Sequence, residues 1–151
     1  MLRYAKLDHR FVQYVPEGLE PGVLYISMEY ATAAHSCCCG CGLHVITPFS
    51  PTDWKMTFDG ETVSLWPSIG NWNFPCRSHY IIRNSRVVGS EPWKENQIKN
   101  GRDEDKHHKE QYYDQKRKCE ERAATPSNGN EDDGAGIWDR IKKRVRKRRR
   151  K

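Results

Sequence analysis

The chain has 151 residues, 36% of them hydrophobic and 30% charged, which is too polar for one uniform core and points to a small domain plus polar extensions. Its formal charge of +6 lies entirely after residue 100, because residues 1–100 carry nine basic and nine acidic side chains. The neutrality of the first 100 residues argues against a dedicated nucleic-acid-binding domain, and no stretch approaches the roughly 20 apolar residues a membrane helix needs.

Taken in order, FVQYV (11–15) and VLYISM (23–28) read as short strands separated by the turn-forming PEGLEPG. Tyr30 to His35 leads into HSCCCGCG, and LHVIT (43–47) has strand composition before the prolines at 48 and 51. WKMTF (54–58) and ETVSLW (61–66) flank Asp59-Gly60, a strong hairpin signal because glycine takes positive φ without strain. Residues 67–75, PSIGNWNFP, read as a loop that nevertheless packs down through Ile69, Trp72 and Phe74. HYIIR (79–83) and RVV (86–88) form a second hairpin through Asn84-Ser85. The expectation is a mainly β, antiparallel domain over residues 1–93.

Beyond it the texture changes. Residues 94–122 are almost wholly polar and fit either a solvated helix laced with i,i+4 pairs or no stable structure. Residues 123–136 have linker composition, and 137–151 form a basic tail with a thin apolar edge of Ile137, Ile141 and Val145. Nine of the ten residues at 142–151 are basic, so that segment is a candidate for polyanion contact, nucleic acid included. The N-terminus has no apolar core of a secretory signal, so the expected location is cytoplasmic, where thiols stay reduced.

That redox setting bears on the cysteines. Cys37, Cys38, Cys39 and Cys41 fall within five positions, and Cys76 follows in NFPCRSHY. Neighbouring thiols cannot pair tidily as disulfides, but they can wrap a soft metal ion. Two ligand sets stand open at this point. Cys38-x-x-Cys41-Gly42 has zinc-knuckle spacing; alternatively Cys37, Cys39 and Cys41 share one face of an extended backbone. In that second case sulfurs roughly 6–7 Å apart must be drawn together by a curl. Either set needs Cys76, with His35, His44 and His79 in reserve. A site of four thiolates leaves no position for a catalytic water, so a metal here is structural, and zinc is the expected ion. Cys119 reads as an ordinary surface thiol.

Near this cluster lie the elements of a nucleophile and a base. Ser68 sits in Pro67-Ser68-Ile69-Gly70, and Ser78 directly precedes His79. A serine needs an adjacent base at neutral pH, and histidine has the matching pKa. Sequence neighbours on a strand point to opposite faces, so His79 is better placed to serve Ser68 than Ser78. His35 is a second candidate base. The amides of Gly70-Asn71 or the Asn71 side chain are candidates to hold an oxyanion, and Asp53, Asp59 and Glu61 to orient the histidine.

Together, the run His35 to Gly42, Trp66-Pro67-Ser68-Ile69-Gly70-Asn71 and Cys76-Arg77-Ser78-His79-Tyr80-Ile81 resemble a family of small bacterial proteins sharing HxCxCGCG, a PSIGN turn and CxSHYxI. The resemblance spans about residues 10–90. That family is encoded beside ubiquitin-like modifiers and their activating and conjugating enzymes, and the resemblance implies a peptidase that trims the modifier's C-terminus by serine chemistry. The resemblance also implies metal ligands Cys37, Cys39, Cys41 and Cys76, and polar site positions His35, Ser68, Ser78 and His79. A non-catalytic, zinc-ordered module that grips the ubiquitin-like protein is the alternative, and a polyanion-binding accessory protein a third.

Overall fold

Eight short strands and one long helix make up the computed structural model, which describes residues 2–124. Strands β1 (Asp8–Phe11), β2 (Val23–Ser27), β3 (Thr32–Ser36) and β4 (His44–Pro48) form one sheet in that order. Strands β5 (Lys55–Phe58), β6 (Val63–Gly70), β7 (His79–Arg83) and β8 (Arg86–Gly89) form the second, also in chain order. All pairings are antiparallel except β1 with β2. Helix α1 follows at Glu95–Ala124. The mainly β expectation therefore holds.

The two sheets share one core. Leu24, Ile26, Ala33 and Val45 enter it from the first, and Val63, Leu65, Ile69, Tyr80 and Ile82 from the second. Period-2 alternation is visible along β4, where Val45 is buried while Ile46 stays 65% exposed. The β5–β6 hairpin turns as its sequence requires. The Asp59 carboxylate accepts from the N–H groups of Glu61 and Thr62 at 2.9 and 2.6 Å, and Gly60 takes φ of +100°. The β7–β8 turn places Asn84 and Ser85 at φ of 49° and 60°.

The structure departs from the sequence reading in four places. The first strand is Asp8–Phe11, not 11–15, because it pairs in parallel with β2 from Asp8↔Val23 onward; Val12 makes the last ladder bond to Ile26 and the chain then turns away. TAAHS forms β3, held by ladders on both sides although its composition carries little strand signal. Strand β6 runs on through residues 67–70, where a loop was expected. It passes a cis Trp66–Pro67 bond and a bulge in which the step from Leu65 to Ile69 faces only the step from Ile82 to Tyr80 on β7. Finally, of the two alternatives for the polar segment the helix is the one formed, as α1, but it is not wholly solvated: its first half docks. Ile98 is buried, Arg77 pairs with Glu95 at 2.6 Å, and Arg102 donates to Asn73 at 2.9 Å.

The chain divides into units Met1–Tyr112 and Tyr113–Lys151, and both sheets belong to the first. Of the second unit only the end of α1 is described, so most of the linker at 123–136 and the whole basic tail at 137–151 lie outside the described residues. No helix among the described residues is long and apolar enough to cross a membrane.

Candidate active site and metal centre

Beyond the last residue of β3 the backbone curls tightly. The Gly40 N–H donates to Cys37 O at 2.9 Å, and Gly40 itself sits at φ of +87°, with Arg3 so close that an added Cβ would lie 2.7 Å from its Cδ. The curl brings Cys37, Cys39 and Cys41 together. Cys76 arrives from the β6–β7 turn, and all four sulfurs lie within 4.8 Å of one another. Cys37 to Cys39 is 3.4 Å, Cys37 to Cys76 is 3.9 Å and Cys41 to Cys76 is 3.8 Å. Four thiolates arranged tetrahedrally at about 2.3 Å from a zinc ion would be roughly 3.8 Å apart, so the donor set fits a four-coordinate metal.

Cys38 points the other way. Its side chain is fully buried in the core, where burial pushes the thiol up to about 12 even though a Tyr80 contact opposes the shift. The knuckle pairing of Cys38 with Cys41 is therefore not formed, because the curl sends adjacent side chains to opposite sides. His44 lies exposed on β4 and Cys119 exposed on α1, neither among the clustered donors.

Ser78 supports this cluster. Its Oγ lies 3.2 Å from Cys37 Sγ and 3.5 Å from Cys76 Sγ, and it accepts from Asn71 Nδ2 at 2.9 Å. Burial raises the Cys76 thiol, but the Ser78 hydroxyl and amide outweigh it, helped by Cys39 and Cys41, and bring it down to about 7. Cys39 goes up to about 12, through burial first and then its crowded sulfur neighbours. A bound cation reverses that crowding, since it favours thiolate throughout. Behind Asn71, the Tyr80 hydroxyl meets His35 Nε2 at 2.8 Å and Asn71 Nδ2 at 3.4 Å. Burial lowers His35 to about 4, so the ring is neutral, and its Nδ1 has no partner. His35 and Ser78 thus both belong to the wall behind the sulfurs.

Ser68 and His79 occupy a different face. Gly70 pairs with His79 across β6 and β7, so Ser68, two residues back on β6, is the diagonal same-face neighbour of His79. Ser68 Oγ and His79 Nε2 are 3.0 Å apart, and His79 Nδ1 lies 2.7 Å from the backbone oxygen of Glu91. A carbonyl oxygen only accepts, so Nδ1 carries the proton and Nε2 offers its lone pair to the serine hydroxyl. Trp72 and Trp93 hold the imidazole, with ring centroids 4.9 and 5.5 Å from it. A cavity of about 310 Å³ opens over the pair, walled by Trp54, Trp72, Trp93 and, from α1, Arg102 and Lys109.

Other sequence candidates have different employment. Asn71 donates its backbone N–H to Ser78 O at 2.9 Å, and its side-chain Nδ2 faces Ser78 Oγ at 2.9 Å and the Tyr80 hydroxyl at 3.4 Å, so its donors are engaged behind the sulfurs. Asp59 closes the hairpin, and Asp53 is bound to Lys109 at 2.7 Å, which with Ser50 lowers its carboxyl. The Glu91 carbonyl, Trp93 and the α1 side chains escaped sequence reasoning. A glycine inside the helix was their only trace: Gly101 lies under the Trp93 ring, where a Cβ would come within 2.8 Å.

A small β protein with a four-thiol cluster beside a buried polar network, and a separate serine–histidine pair in a cavity, is the class defined so far. The family model for the bacterial ubiquitination-like system serine protease (BubE) matches residues 11–89, and the chain belongs to that family. No curated protein and no solved structure matches it.

Proposed function

We propose that the chain is a serine-type peptidase that trims the C-terminus of a ubiquitin-like protein, with Ser68 as nucleophile, His79 as general base and a structural zinc on Cys37, Cys39, Cys41 and Cys76. The observation that carries this reading is the placement of His79 between the Glu91 carbonyl and the Ser68 hydroxyl, at 2.7 and 3.0 Å. The carbonyl fixes the tautomer, leaving the serine-facing nitrogen free to take a proton. Ser68 Oγ attacks the scissile carbonyl as His79 Nε2 accepts its proton. His79 then returns that proton to the leaving amine, and water activated by the same nitrogen releases the acyl group.

In this reading the metal stays outside the chemistry. When bound, it supplies a cross-link between the loop after β3 and the turn before β7. Cys76 stands three residues before His79, so that cross-link anchors the start of the strand bearing the base. Ser78 and His35 serve the cross-link and not the reaction. The family description supports a modifier-linked substrate. The basic run at 142–151 has no role in this mechanism.

Incubating a ubiquitin-like precursor of such a system with purified protein, and reading the products by mass spectrometry, tests the reading. Cleavage near the precursor's C-terminus that disappears in Ser68→Ala and His79→Ala supports it. A precursor left intact by well-folded, metal-loaded protein favours the non-catalytic binding module instead.

A further inference from the structure

Strand β6 is eight residues long, but β5 covers only part of it. The β5 ladder runs from Phe58↔Val63 to Lys55↔Trp66 and stops. On the other side β7 continues, pairing Ile69↔Tyr80 and Gly70↔His79. Residues 67–70 therefore have a strand partner on one edge and, among the described residues, none on the other.

This open edge lies where Ser68 is. The Asn71 N–H points to β7, since it bonds Ser78 O at 2.9 Å. Backbone N–H and C=O groups alternate in direction along a strand, so those of Gly70 face the unpaired side. Asp53 and Trp54, just before β5, line the cavity of about 310 Å³ together with Pro67, Ser68 and Gly70. A stretch of strand left unpaired within a sheet is a ready template for one more strand.

Resting on the peptidase reading above, we propose that the substrate's C-terminal tail binds as an extended segment paired with the open edge of residues 67–70. The occupant is a polypeptide in β conformation. Its main chain satisfies the outward-facing groups of Gly70, and one of its carbonyls is laid against Ser68 Oγ. Recognition through main-chain hydrogen bonds makes a distinctive demand. Only every second amide of the bound segment points at β6, so only every second one matters.

The test uses a synthetic peptide spanning the C-terminal tail of the ubiquitin-like precursor, and a set of copies each N-methylated at one backbone amide. Binding to the full-length Ser68→Ala protein is measured by calorimetry, so that turnover does not intervene. The expected result is alternation: N-methylation at one position weakens binding by roughly tenfold or more, and at the next hardly at all. In parallel, hydrogen exchange on the same Ser68→Ala protein should show the Gly70 amide protected by the unmodified peptide. A peptide that fails to bind, or a methylation series without alternation, overturns the proposal. Cleavage of the same peptide by wild-type protein is scored separately. Alternating binding without cleavage sinks the peptidase reading while the strand-docking inference stands; cleavage without alternation does the reverse.

Discussion

Replacing Ser78 with alanine should loosen the metal centre and leave the chemistry in place. The hydroxyl lies 3.2 Å from Cys37 Sγ, 3.5 Å from Cys76 Sγ and 2.9 Å from Asn71 Nδ2. Without it, the Asn71 amide retains only Tyr80 at 3.4 Å and the Cys37 sulfur at 3.7 Å, both longer contacts. Stripping the best acceptor from a buried donor costs about 1–3 kcal/mol. In a domain of this size each kcal/mol lowers Tm by about 4–8 °C, so a fall of roughly 10 °C is expected. Cys76 also loses one of the two Ser78 donors that offset burial and bring its thiol to about 7. A group that tunes a ligand from outside the coordination sphere typically changes metal affinity by roughly 10–100-fold. Chelator competition and thermal melting of metal-loaded protein measure the two effects, and cleavage at saturating metal should persist. Abolished cleavage with unchanged metal affinity and melting would refute the argument and make Ser78 the reacting serine.

Three further outcomes follow from the same geometry. Chelation should unfold the sheets reversibly, because structural zinc binding is worth about 10–16 kcal/mol against a total stability of about 5–15 kcal/mol; circular dichroism of metal-free protein that still looks native would contradict this. His35 should titrate by ring-proton NMR near 4 instead of 6.5, since burial opposes its charged form. Because the unfolded chain takes up that proton near 6.5, stability is present above that pH and is lost on acidification towards 4, by roughly 3 kcal/mol; a midpoint at 6.5 would remove the effect. Gly101→Ala should improve helix propensity by about 1 kcal/mol yet slow cleavage, because the new Cβ meets Trp93 at 2.8 Å and that indole braces His79. Unchanged indole fluorescence and cleavage would show that Trp93 gives way freely.

What the sequence revealed depended on how local the cause was. The Asp59-Gly60 hairpin was legible because its turn is determined by two adjacent residues. The cysteine cluster was legible from density alone, but the choice between Cys38 and its neighbours was not, since it depends on which way the curl after β3 turns each side chain. Residues 67–70 read as a loop because proline and glycine are poor strand formers; what makes them a strand is pairing with β7, a contact absent from local composition. The spacing separated Ser78 from His79 by strand alternation, whereas the 3.0 Å approach of Ser68 depends on the β6 bulge and on register. The docked half of α1 was hidden for a related reason: a single buried apolar residue, Ile98, and a few ion pairs hold it, too little to make an amphipathic pattern.

Cleavage of a ubiquitin-like precursor by wild-type, Ser68→Ala and Ser78→Ala proteins, each loaded with metal and shown to be folded, bears on the central claim most directly. The account predicts that Ser68→Ala is inert while Ser78→Ala still cuts. Full cleavage by Ser68→Ala would contradict it.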